Sequence, residues 1–330
     1  MSLQKELKNK NIYQNEITKI YPQSIPREFD DYLSTFPNHH PMKKQFIPSH
    51  EEITNTNGLY DPIGDSLHSK ENGIIHRYKN RLLFTPTTVC PIQCRYCFRK
   101  NELAQRDELF KASINELINY LQNHQEINEV ILTGGDPLML SNDKIETIFK
   151  NLAGLVDYIR FHTRAPVIIP KRIDNDFIQL LKSYEPHFKI ISIAIHTNHP
   201  DELYPAVDEC IELLKSTKVK LLSQTVLLKD VNNNLETMTS LFKNLSERGI
   251  QPYYLHHPDK VKGAMHFYLP LIEGRELYGK LRDELPGFML PHYVIDPSNG
   301  RGKTLAYNGE SLDFSGSLID RFGNKFTYNE

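Results

Sequence analysis

The sequence predicts an α/β protein built on a parallel sheet that is closed completely or partly into a barrel. Three observations carry that expectation. From about residue 80, short β-branched or apolar runs alternate with amphipathic helical stretches. The helical stretches are of about ten residues or more, long enough for right-handed crossovers between parallel strands. The chain has 330 residues, enough for one large barrel or two ordinary domains with a sizeable core.

Residues 1–70 are polar, carry scattered prolines (Pro22, Pro26, Pro37, Pro41, Pro48) and read as a mainly helical N-terminal extension of short helices and loops. Residues 71–265 read as the core barrel. Its candidate strands are 81–85, 129–133, 158–162, 189–195, 220–227 and 252–255, with helices near 113–124, 143–154, 174–184, 203–215 and 234–247. In SINELINYLQNH the apolar positions 114, 117, 118 and 121 have helix spacing. Residues 266–330 form a C-terminal segment in which a helix near 271–284 leads to a strand at 292–295. On such a barrel the functional residues should sit just after the strands.

Composition narrows the function. With 39 basic and 41 acidic side chains, net −2, nothing favours nucleic acid or an anionic membrane as partner. No apolar run approaches the roughly 18–20 residues of a membrane span. The polar start MSLQKELKNKNIYQNEITK does not read as a secretory signal. The expectation is a cytoplasmic protein.

Three of the four cysteines, Cys90, Cys94 and Cys97, fall within eight residues, directly after the first candidate strand. Bridges between such neighbours could not staple a fold of this size, so a disulfide scaffold is set aside. Zinc would need a fourth ligand nearby, yet His76 is far back and no histidine lies between 77 and 123. Three thiolates on one loop can hold three corners of a 4Fe–4S cluster and leave one iron open. Buried structural cysteines are the plainer alternative. Cys210, in VDECIELL, reads as ordinary core.

The spacing Cys-x-x-x-Cys-x-x-Cys, with Tyr96 before the last cysteine, resembles the signature of the radical S-adenosylmethionine superfamily. In that superfamily the open iron binds S-adenosylmethionine and its cleavage yields a 5′-deoxyadenosyl radical. Gly134-Gly135-Asp136 closes the second candidate strand, where glycines permit close backbone approach. The superfamily uses a similar element for the methionine amino group.

Gly300-Arg301-Gly302-Lys303-Thr304 ends like a P-loop. The glycine required five residues before Gly302 is Pro297, and a turn-rich stretch follows. A lysine on a glycine-flanked loop can instead form a Schiff base with pyridoxal phosphate.

From about Met42 to Thr304 the chain resembles the lysine 2,3-aminomutase family. The resemblance runs through KKQFIPSHEE, DPIGD, HRYKNRLLF, CPIQCRYCFRK, LTGGDPL, TRAPVIIPKRI, HTNHPDEL, SQTVLLKDVN, PYYLHHPD, KGAMHF and VIDPSNGRGKT. It implies a partial (β/α)6-type radical SAM barrel, with the pyridoxal-phosphate lysine, Lys303, in the C-terminal segment. It further implies that His76, Arg77, Tyr78 and Arg81 contact that cofactor, arginines suiting its phosphate. Gly134, Gly135, Asp136, His196 and Gln224 match residues around S-adenosylmethionine. Arg99 matches the arginine for the substrate carboxylate, and Asp259 and Asp296 the acids for the ε-ammonium of L-lysine. The implied activity is an isomerase moving the amino group from C2 to C3, fed by an external electron donor such as flavodoxin or ferredoxin. A homo-oligomer is compatible with this reading.

Two departures matter. Residues 211–330 hold no cysteine, so the structural zinc of clostridial-type members is not carried over. In length the chain is closer to the smaller members that supply β-lysine for modifying elongation factor P. The rival readings are a same-family enzyme for another amino acid such as arginine, a radical enzyme without pyridoxal phosphate, and a non-catalytic iron–sulfur protein. The adjacent pairs His39-His40 and His256-His257 are read as loop or site-lining residues, because neighbours on a strand face opposite ways.

Overall fold

The structure, a computed structural model, describes residues 16–55, 57–71, 73–105, 113–307, 317–319 and 324–327. Residues 1–15 and much of the C-terminal tail lie outside the described residues. Ten strands form one sheet in chain order. They are β1 (Ser69–Glu71), β2 (Ile74–Tyr78), β3 (Arg81–Thr87), β4 (Glu129–Gly134), β5 (Tyr158–Thr163), β6 (Ile190–His196), β7 (Lys220–Val226), β8 (Gln251–His256), β9 (His292–Ile295) and β10 (Thr304–Leu305).

From β3 to β9 every neighbouring pair is parallel. The edges, β1–β2–β3 and β9–β10, are antiparallel. The sheet is curled. Arg160 on β5 donates to the Tyr253 hydroxyl on β8 at 3.1 Å, although three strand spacings in a flat sheet are about 14 Å. Strands β1 and β10 are not paired to each other, so the barrel is partial.

The predicted strands and helices appear within a few residues of their expected bounds. The difference is at the front. The sheet begins with the hairpin β1–β2, not with β3, and Tyr78 pairs with Arg81 across a two-residue turn. Both strands are short, and the adjacent Ile74 and Ile75 are both buried, so no alternation marks the hairpin.

Helix starts follow from their caps. Ser113 and Glu116 form a capping box at Ile114–Asn123. Asp174 and Asn234 accept from Phe177 N and Thr237 N at Asn175–Tyr184 and Leu235–Glu247. The helices lay their apolar faces on the sheet, and Phe149, Phe161, Phe177, Leu181, Leu214 and Phe242 are fully buried between them. Cys210 sits in this core, 2% exposed, and burial pushes its thiol up to about 12.

The N-terminal extension carries the short helices Arg27–Ser34, Pro41–Lys44 and Glu51–Thr54. Phe29, Leu33, Met42 and Phe46 belong to the same core. Glu52, fully buried, pairs with Arg95 at 2.5 Å and Lys100 at 2.6 Å. The extension therefore grips the loop between the cysteines. Burial lowers the Lys100 ammonium to about 8, against the pull of Glu52.

Candidate active site

One cavity, of about 290 Å³, opens at the C-terminal ends of the parallel strands, and it is lined by every sequence-predicted site residue except His76. His76 instead meets the Tyr120 hydroxyl at 2.9 Å and the ring of His124. On β2 it faces the helix Ile114–Asn123, so the expected cofactor contact of His76 is corrected.

The cysteines occupy the loop after β3. Glycine makes this loop possible. Gly135 N–H donates to Thr87 O at 2.9 Å and Asp136 N–H to Val89 O at 2.8 Å. A Cβ on Gly135 would stand 2.5 Å from Val89 O. The close approach that Gly135 permits is thus to the cysteine loop itself. Gly134 has φ +104, and a Cβ there would collide with the Thr85 side chain. The Asp136 carboxylate accepts from the Thr163 hydroxyl at 2.7 Å and from the backbone of Leu138, Arg164 and Ala165. It ties the ends of β4 and β5 together. Thr133 and Gly134 also line the cavity, so a ligand at this strand end would meet them.

Burial raises the Cys90 thiol well above its ordinary value and pushes Cys97 up to about 12, with the neighbouring cysteines adding to both. Both are part-exposed and line the cavity. Arg164 Nη1 donates to Cys94 Sγ at 3.0 Å. Three thiols on one loop with a guanidinium beside them fit an anionic cluster, whose irons would drive off the thiol protons. Among the described residues no three His, Cys, Asp or Glu side chains gather as a single metal ion requires.

His196 ends β6 and lies level with Gln224 on β7. Its Nε2 meets the Tyr96 hydroxyl at 2.5 Å. Burial holds the imidazole well below its ordinary pKa, as it does His162. Gln224 Nε2 lies 3.4 Å from His162 Nε2.

Across the cavity, the Lys303 loop is fixed by close packing. Its backbone N–H donates to the Tyr78 hydroxyl at 2.7 Å. Gly302 has φ +85, and a Cβ there would stand 2.9 Å from that hydroxyl. Strand β10 follows Lys303, where a P-loop would have a helix. Lys303 Nζ donates to Asp296 Oδ2 at 2.9 Å. Burial alone would lower the lysine, but Asp296 reverses this and raises it. Burial and the Asp296 charge together hold the Asp259 carboxyl well above the usual range. His256, on β8, lies 3.9 Å from Asp296, and burial takes it down to about 3. Its neighbour His257 faces the other way and meets the Tyr293 hydroxyl at 2.7 Å.

Arg99 and Arg77 are joined by a residue that sequence reasoning missed. Asp65 accepts from Arg77 Nη2 at 2.8 Å and from Arg99 Nη2 at 2.7 Å. Glu102 holds the other side of Arg99 at 3.2 Å. Arg81 stacks over the Tyr78 ring at 3.9 Å. For pyridoxal phosphate the residues present fit: an amine, two arginines and the buried Asp296 Oδ1, which accepts no hydrogen bond among the described residues. Asp65 and Arg164 were signalled only as members of the motifs DPIGD and TRAPVIIPKRI.

Residues 84–242 match the family model described as the Radical SAM superfamily, the class that the cysteine loop and the parallel strand ends also indicate. The L-lysine 2,3-aminomutase of Haemophilus influenzae is 34% identical over 87% of this chain and 85% of that protein. That of Clostridium subterminale is 33% identical over 80% of this chain and 64% of that protein. The glutamate 2,3-aminomutase of Clostridioides difficile is 36% identical over 80% of this chain and 62% of its own length. The chain belongs to the lysine 2,3-aminomutase family of radical SAM enzymes, and it is an isomerase. Membership implies a 4Fe–4S cluster and S-adenosylmethionine. Among the described residues no helix is long and apolar enough to cross a membrane.

Proposed function

We propose that this enzyme converts L-lysine to β-lysine by moving the amino group from C2 to C3, with pyridoxal phosphate as its third cofactor. Identity alone does not choose the substrate, since lysine and glutamate enzymes stand at 33–36%. The observation that carries the choice is the acid pair Asp259 and Asp296, lining the same cavity as Arg99 and Lys303. An amino acid with a distal cation satisfies both ends, whereas glutamate would add a third anion to two.

In this reading Cys90, Cys94 and Cys97 hold the cluster. The Thr133–Gly134 backbone, His196 and Gln224 face S-adenosylmethionine. Lys303 Nζ, Arg77, Tyr78 and Arg81 hold pyridoxal phosphate. When bound, the cluster and S-adenosylmethionine supply the radical that takes hydrogen from C3, and pyridoxal phosphate supplies the π-system that carries nitrogen from C2 to C3.

The chain's own residues do the positioning. Arg99, its guanidinium fixed by Asp65 and Glu102, pairs with the α-carboxylate. Asp259 and Asp296 take the ε-ammonium, and the two clamps fix C3 in one place. Lys303 must lose a proton before Nζ can act as a nucleophile, and the ion pair with Asp296 Oδ2 at 2.9 Å opposes that loss until a second cation engages the acid. His162, His196 and His256 stay neutral because burial depresses all three. They do not compete with the substrate cation for the acids. The enclosing barrel keeps water from the reacting carbon.

The test is anaerobic reconstitution with iron, sulfide, pyridoxal phosphate and S-adenosylmethionine, then chromatography of products from L-lysine, L-arginine and L-glutamate. Formation of β-lysine is expected. Turnover of another amino acid without β-lysine would overturn the substrate assignment.

A further inference from the structure

Arg164 follows β5 and is buried, yet its contacts serve no step described above. Nη1 donates to Cys94 Sγ at 3.0 Å and to the Tyr96 hydroxyl. Nη2 donates to Glu202 Oε2 at 2.7 Å and Gln45 Oε1 at 2.9 Å. Its carbon lies 4.6 Å from the centre of the Phe46 ring. Glu202 is itself fixed, its Oε1 accepting from Gln45 Nε2 at 2.9 Å and from the backbone of Asn198 and His199 at 3.1 Å each. The guanidinium is thus braced from the N-terminal extension, the β5 end and the loop after β6. These bonds hold Nη1 toward the sulfur.

We propose that Arg164 is a positioning residue that sets the reduction potential of the cluster held by Cys90, Cys94 and Cys97, with Glu202 aiming its N–H at Cys94. This rests on the reading of those cysteines as cluster ligands. An N–H donor draws electron density from a ligating sulfur, and a fixed cation favours the state carrying one more negative charge. Both effects raise the potential and ease reduction by an external one-electron donor. Glu202 offsets the charge at long range, so the effect on the sulfur depends on which of the two lies nearer. Arg164 is the nearer one.

The experiment is a mediated redox titration of the full-length reconstituted protein without S-adenosylmethionine. The reduced cluster is followed by electron paramagnetic resonance in wild type, Arg164→Lys and Arg164→Gln. Resonance Raman spectra of the iron–thiolate stretch are recorded alongside. In Arg164→Gln the reduction equilibrium should become at least about tenfold less favourable, about 59 mV for one electron. The iron–thiolate stretch should move to higher frequency as the hydrogen bond is lost. Arg164→Lys, which keeps the charge without the fork, should shift less. Wild-type potentials in both variants at full iron content would overturn the proposal. So would loss of iron from both, which would make Arg164 a brace for the loop. A wild-type protein that binds no cluster would sink the cysteine reading as well.

Discussion

Lys303 Nζ and Asp296 Oδ2 form an ion pair at 2.9 Å inside the cavity, and the other oxygen of that carboxylate accepts no hydrogen bond among the described residues. Arg77 Nη1 stands off from it at 3.6 Å. One acid therefore serves the resident lysine and keeps capacity for a second cation. Burial would raise the Asp296 carboxyl, but Lys303 holds it down.

The first prediction concerns that lysine. Lys303→Ala should abolish the absorbance of lysine-bound pyridoxal phosphate near the visible edge and leave the iron content unchanged. The cysteine loop is a separate part of the cavity wall, so the two readouts should part company. Survival of the absorbance would mean that another amine holds the cofactor.

A second follows from the raised Asp259. Burial and the Asp296 charge raise this carboxyl well above its usual range in the free site. An ε-ammonium favours the carboxylate, so lysine binding should expel a proton and weaken as the pH falls. Calorimetry of lysine binding in two buffers of different ionisation enthalpy should show the release, and Asp259→Asn should remove it. That variant should also lose about 2–5 kcal/mol in kcat/KM, as for truncation of a buried charge pair. Heats independent of buffer would contradict the assignment.

The barrel was legible because hydrophobic periodicity is a property of consecutive residues. Strands and crossover helices declare themselves that way. The cysteines and Lys303 were legible because their chemistry is carried by close spacing or by a motif. Asp65, Arg164 and Glu202 were not assigned roles. Their partners lie 34, 70 and 157 residues away in Arg99, Cys94 and Gln45, and no local pattern encodes such pairings. His76 was misplaced for a related reason. His76 meets Tyr120 and His124 on the helix side of β2, while the register irregularity between Ile75 and Tyr78 lets the adjacent Arg77 and Tyr78 both line the cavity.

A third prediction tests the missed acid. Asp65 neutralises two buried arginines at once, and removing one partner of such a group costs about 3–5 kcal/mol. Asp65→Asn should lower the thermal unfolding midpoint and raise the KM for lysine, because Arg77 then repels an Arg99 that has lost its brace. Unchanged melting and KM would show that the bridge does not hold Arg99.

The last prediction links fold to cluster through Gly135. Its backbone lies against the cysteine loop, and a methyl group there would stand 2.5 Å from Val89 O and 2.6 Å from the Thr88 carbonyl carbon. Those are backbone atoms, so no side-chain rotation relieves the clash, and the loop from Thr87 to Cys90 must move. Loss of the bonds from Gly135 N to Thr87 O and Asp136 N to Val89 O would follow. Gly135→Ala should therefore retain helix content by circular dichroism, since the core helices lie on the outer face of the sheet, while iron bound after reconstitution falls severalfold. Wild-type iron content in a folded Gly135→Ala protein would show that the cysteine loop tolerates the shift. The glycine would then not be what places Cys90.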